Sequence, residues 1–250
     1  MFQLQPSSVE SAYPESDGKP MADNTKQFRW IVVIQQNLDW LFAHDPAVFV
    51  AGDLLWYPVE GNRTICTAPD IMVAFGRPKG DRGSYKQWEE GNLPPQVVFE
   101  IRSPSNTDAE MSRKLLFYDR YGVDEYYLYD PDTNQFNGWV RSDPSLEMIE
   151  SVAGWISPRL NVRFERSDEE LQIYRLDGKR FLSYAEIAGQ AQQVEQQLAQ
   201  ERQRVEQERQ RAEQERQHAE QERQRAEQER QRADRLAEQL RSLGIDPEQR

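Results

Sequence analysis

The chain has 250 residues, 37% of them hydrophobic and 30% charged, with a formal net charge of −12 at pH 7. That is enough for one domain of ordinary size with added elements, but the average is too polar for one compact globule throughout. The acidity counts against tight, non-specific DNA binding, which favours Lys and Arg.

The lone cysteine, Cys66, allows no internal disulfide, and no apolar run approaches the length of a membrane span. The start of the chain lacks the basic and apolar regions of a secretory signal, so a cytoplasmic protein is expected. With only His44 and His218 present, a zinc site of His and Cys ligands is not expected.

Residues 1–27 are rich in Ser, Pro, Asp and Gly and are expected to form a flexible arm. Ile31, Ile34, Leu38, Leu41 and Phe42 recur at helical spacing, which predicts an amphipathic helix from Phe28 to Phe42. Val48–Val50 and Leu54–Tyr57 suit strands, as do Asp70–Phe75 and Gln96–Ile101. Between the last two, Gly76–Pro95 reads as a long polar loop. Ser105–Asp108 supplies helix-starting residues, and the helix that follows carries Met111, Leu115 and Tyr118 on one face and stops at Gly122. Glu125–Tyr129 is a third central strand, with shorter ones at Phe136–Val140, Leu146–Ile149 and Leu171–Tyr174. The order predicts an α/β domain over residues 28–189, a mixed sheet flanked by helices.

Residues 190–250 are different. A long helix is expected from about Ser183 to as far as Leu243, with a strict seven-residue repeat whose apolar place holds Val205, Ala212, Ala219 and Ala226. With those residues at position a, Val194, Leu236 and Leu243 fall at d, but so do Glu208, Glu215, Glu222 and Glu229. Such a seam is weak in the middle and better at its ends. Arg–Glu pairs at i,i+4 support a solvated single helix, so a single helix and a coiled coil remain the two alternatives. Any homo-oligomer formed by the tail is expected to rest on Leu236, Leu240 and Leu243.

Glu100 is the most informative residue for chemistry. It interrupts Val97-Val98-Phe99-Glu100-Ile101, a run otherwise fit for burial. An ionised carboxylate there is costly unless paired or bound to a cation. Asp70 opens another apolar run, directly after Pro69. Two carboxylates at the ends of neighbouring strands suit a hard cation such as Mg2+. Lys114, on the helix after the second strand, could orient a water or offset charge on a phosphate. Taken singly, Asp70 could cap a turn, Glu100 could pair with Arg102 or Arg113, and Lys114 could be a surface lysine.

Together these segments resemble a known family. Ala68-Pro69-Asp70-Ile71-Met72-Val73, Val98-Phe99-Glu100-Ile101-Arg102-Ser103-Pro104-Ser105, Lys114-Leu115-Leu116-Phe117-Tyr118, Tyr121-Gly122-Val123-Asp124-Glu125-Tyr126-Tyr127 and Asp130-Pro131 are similar, in that order, to the Uma2 family. That family is common in cyanobacteria and classed with restriction endonucleases of the PD-(D/E)XK type. The resemblance covers about Phe28 to Ile187. It implies a restriction-endonuclease-like fold, Mg2+ or Mn2+ as cofactor, and DNA as substrate. It assigns Asp70 and Glu100 to the metal and makes Lys114 the catalytic lysine, since Arg102 stands where the superfamily pattern has lysine. Asp53 is a further acidic candidate. Two functions follow: a Mg2+-dependent endonuclease, or a non-catalytic interaction module that keeps the nuclease fold and acts through its C-terminal helix.

Overall fold

The computed structural model describes residues 13–16, 18 and 20–242. The chain divides into two units, Met1–Glu186 and Ile187–Arg250. In the first, helix α1 (Thr25–Leu41) is capped by Asn24, whose side chain accepts from the Gln27 N–H. Strands β1 (Val48–Gly52), β2 (Trp56–Tyr57), β3 (Ile71–Phe75), β4 (Tyr85–Lys86) and β5 (Val97–Ile101) follow. Helix α2 (Asp108–Arg120) is capped by Thr107. It leads to β6 (Glu125–Asp130), β7 (Gln135–Ser142), β8 (Ser145–Met148), β9 (Val162–Arg166) and β10 (Leu171–Arg175).

The main sheet has six strands in the order β1-β3-β5-β6-β7-β8. Only β5 and β6 run parallel, which makes the sheet mixed. A parallel pair needs a crossover, and α2 supplies it. Side chains alternate between the faces. Val97, Phe99 and Ile101 of β5 join Ile31, Ile34 and Leu38 of α1 and Phe164 of β9 in one core. Val98 joins Met72, Trp56, Tyr85, Tyr118 and Tyr126 in the other. Both faces of β5 are therefore covered, which is why its sequence is an unbroken apolar run except at Glu100.

Several expectations are corrected. The stretch 76–95 is not simply a loop: Tyr85–Lys86 pairs in parallel with Trp56–Tyr57, and Tyr85 is buried. Strand β9 is not among the expected strands, although Val162-Arg163-Phe164-Glu165 alternates apolar and charged residues over a short run. The first helix begins at Thr25, inside the stretch assigned to the arm. Within that arm, Tyr13 packs its ring on Tyr57 and Trp88, and the Tyr57 hydroxyl donates to the Pro14 carbonyl. Aromatic packing thus ties down a segment whose composition suggests freedom. The rest of the arm lies largely outside the described residues.

Helix α3 (Tyr184–Ser242) runs on into the second unit, with no buried residue over its 59 residues. Arg204 and Glu208 form an i,i+4 ion pair on its surface. Leu243 lies outside the described residues. No helix among them is long and apolar enough to cross a membrane.

Candidate active site

The pairing of Ile71 with Phe99 leaves Asp70 and Glu100 as the next residues along antiparallel neighbours, on the face covered by α2. Asp70 is buried, and its Oδ2 accepts from the Ile101 N–H at 2.6 Å, which fastens the end of β3 to β5. Glu100 is 2% exposed. Its Oε2 lies 2.7 Å from the Lys114 ammonium, and its Oε1 accepts from the Tyr118 hydroxyl. Lys114 and Tyr118 stand four residues apart on α2, so one helical face delivers both donors to one carboxylate.

The electrostatics follow from burial. Loss of hydration, then the neighbouring charge of Glu100, holds the Asp70 carboxyl well above its ordinary range, against the opposing effects of Lys114 and the Ile101 N–H. Burial disfavours the Lys114 ammonium, but Glu100 and Asp70 outweigh it and raise its pKa. Burial and the Glu100 charge likewise raise Tyr118. The ammonium is thus the counter-charge for two buried carboxylates. Nearby, the Tyr126 hydroxyl is buried with no hydrogen-bond partner among the described residues, and burial, Glu100 and Asp70 together raise its pKa.

Asp70, Glu100 and Lys114 line a cavity of about 530 Å3, together with Asp53. Asp53 has a positive φ of 49°, and its N–H donates to the Asp70 carbonyl, so it is held beside the pair. Arg102 is not brought to this cavity: its guanidinium bonds the Asp108 carboxylate at 2.6 Å and the Asn106 carbonyl at 3.3 Å. The fold turns it toward the start of α2, where a carboxylate compensates it more directly.

Sequence reasoning missed four residues here. Tyr118 stood on the expected helix face, and its i+4 spacing from Lys114 was the available signal. Gln27 donates to the Ile101 carbonyl at 2.8 Å and accepts from the Asp23 N–H at 2.8 Å. Asp23 accepts from the hydroxyls of Ser103 and Ser105, and Glu110 also lines the cavity. Nothing local in the chain marks Gln27 or Asp23, because their partners lie far away in sequence.

The donor set can be tested against a divalent cation. No group of three or more His, Cys, Asp or Glu side chains suited to a metal occurs among the described residues. The protein therefore offers two adjacent carboxylates, Asp70 and Glu100, rather than a full cage. Two hard oxygen donors on the wall of a roomy cavity fit Mg2+, which keeps several waters and takes only one or two carboxylates.

A family model described as "Putative restriction endonuclease" matches residues 17–203, three-quarters of the sequence. The chain belongs to the Uma2 family. Uma2 membership agrees with the mixed sheet flanked by helices and supports a nuclease function in general terms. Among solved structures, the chain is similar to the crystal structure of "a putative nuclease belonging to DUF820" from Anabaena variabilis ATCC 29413. The identity is 17%, with 61% of this chain and 84% of that chain covered and a TM-score of 0.42. No curated protein matches the sequence.

Proposed function

We propose that this Uma2 protein is a Mg2+-dependent endonuclease that hydrolyses DNA phosphodiester bonds at the cavity of Asp70, Glu100 and Lys114. The observation that carries the reading is the pair of buried carboxylates on adjacent strands, with the Lys114 ammonium of α2 set against Glu100. Like charges in a dry setting destabilise the fold unless a cation shares them. A protein with no use for cations has little physical reason to keep that pair.

Asp70 and Glu100 would hold the ion. When bound, a divalent cation lowers the pKa of a coordinated water and withdraws charge from a phosphate oxygen. The Ile101 N–H fixes the Asp70 carboxylate, and the Tyr118 hydroxyl fixes Glu100. Lys114 carries a full positive charge at neutral pH, because Glu100 and Asp70 favour its protonated form against burial. It is thereby suited to orient a water or to offset charge on a transferred phosphate. Asp53 adds negative charge at the cavity wall.

One observation favours the alternative, a non-catalytic module that keeps the fold. Both oxygens of Glu100 are engaged by the protein's own Lys114 and Tyr118. The two readings part on metal linkage. An ion that binds only the folded form raises the melting temperature by mass action. Mg2+ or Mn2+ should raise it for the parent, Glu100→Gln should abolish both that rise and DNA cleavage, and Lys114→Ala should lose cleavage while keeping most of the rise. Unaltered cleavage by Glu100→Gln would end the nuclease reading. No metal effect and no cleavage in the parent would favour the module.

A further inference from the structure

Seven large apolar side chains occur along α3: Tyr184, Ile187, Val194, Leu198, Val205, Leu236 and Leu240. All seven fall on positions a or d of one uninterrupted seven-residue frame, the frame in which Val205 and Ala212 are a. None is buried, and Tyr184, Val194 and Val205 are 83%, 63% and 55% exposed. An a/d-only stripe is too narrow for the face a helix packs on a globular core, and it has the width of a coiled-coil seam.

We propose that α3 pairs in parallel and in register with α3 of a second copy of this chain, held mainly by the stretch from Tyr184 to Leu198. Three features point to a second copy. In a parallel, in-register pair, like meets like, giving five successive apolar layers at Tyr184, Ile187, Ala191, Val194 and Leu198. An antiparallel pair that sets Leu198 against Leu236 also sets Val194 against Leu240, but it then places Val205 opposite Glu229 and loses the remaining layers. Finally, the polar middle is complementary to itself. A d residue in a parallel pair lies beside the partner's e residue. Glu208, Glu215, Glu222 and Glu229 at d therefore face Arg209, Arg216, Arg223 and Arg230 at e of the second copy, in both directions. Alanine at a leaves room for these long side chains. The weight thus falls on the beginning of α3 rather than on Leu236, Leu240 and Leu243. The inference stands apart from what the cavity does.

The test uses the full chain. Light scattering should give twice the chain mass of 29.4 kDa. Val194→Asp combined with Leu198→Asp should return the single-chain mass while the globular unit melts as in the parent, since neither side chain is buried. Leu236→Ser with Leu240→Ser should weaken pairing less. In a Cys66→Ser background, Leu198→Cys should cross-link to its own copy on oxidation. A parent of single-chain mass at every concentration, a double Asp variant that stays paired, or a paired Leu198→Cys protein that does not cross-link would each overturn the proposal.

Discussion

Lys114→Met keeps most of the length and packing of the side chain but removes the charge that balances Glu100. The Lys114 side chain is 22% exposed and that of Glu100 2%, so the pair is largely withdrawn from solvent. Removing one partner of such a pair leaves the other buried and uncompensated, at a cost of about 3–5 kcal/mol. For a unit of this size that corresponds to a fall in melting temperature of about 6–20 °C. The pH dependence separates this cause from lost packing. In the folded parent the Asp70 pKa is already raised, by burial and then by Glu100, and the loss of Lys114 raises it further. A carboxyl whose folded pKa exceeds its unfolded value takes up a proton on folding. Its stabilisation is complete below the unfolded value and fades as pH rises through the folded one. The deficit of the variant should therefore shrink as pH falls, and Mg2+ should stabilise the variant at neutral pH. Thermal unfolding across a pH series, with and without Mg2+, measures both. A deficit below about 1 kcal/mol, or one that does not change with pH, would refute the account of Lys114 as counter-charge.

Four further outcomes follow from the same structure. Asp70→Asn should raise the metal-free melting temperature at neutral pH and abolish the Mg2+ effect; the gain should vanish toward acid pH, where Asp70 itself is protonated. Tyr118→Phe keeps the ring packed beside Trp56 but removes the hydroxyl bond to buried Glu100, which should cost about 1.5–3 kcal/mol in denaturant unfolding. A Cβ at Gly138 would come within 2.8 Å of Ile149 Cδ1 and 3.1 Å of the Tyr127 ring, so Gly138→Ala should destabilise by about 1–3 kcal/mol in the same assay. A chain ended after Gly189 should still melt cooperatively, because both cores lie before that point; a broad, non-cooperative melt would show that α3 is needed for the fold.

The energetics of the site explain why so few residues set its character. Asp70 and Glu100 sit where two strands end, and apolar packing on both sides of β5 dries the carboxylates. Drying strengthens every interaction in the cavity, including the repulsion. The Ile101 N–H, the Tyr118 hydroxyl and the Lys114 ammonium each offset part of that cost. Glu125 shows the same physics with mainly neutral donors. It is buried, and it accepts from Tyr127, Ser157 and the Arg159 N–H. Burial raises its pKa, while those donors and, to a smaller extent, the Arg159 charge hold it back.

The sequence by itself determined whatever depends on burial and local chain geometry. The apolar runs of β3 and β5, the start of α2 at Thr107, and the seven-residue period of α3 are all legible because side-chain spacing records which faces are dry. Glu100 stood out for the same reason, as the one charge inside a run that must be covered on both faces. Only the tertiary structure decided which distant groups meet. Register between β3 and β5 sets Asp70 beside Glu100, and the crossover from β5 to β6 lays Lys114 and Tyr118 over them. Gln27 reaches the Ile101 carbonyl from α1, 74 positions away in the chain. Arg102, beside the motif in sequence, turns instead to Asp108. Local periodicity fixes how a segment folds and which side it buries, but a charged side chain takes its partner from whatever the packing of other elements brings within reach.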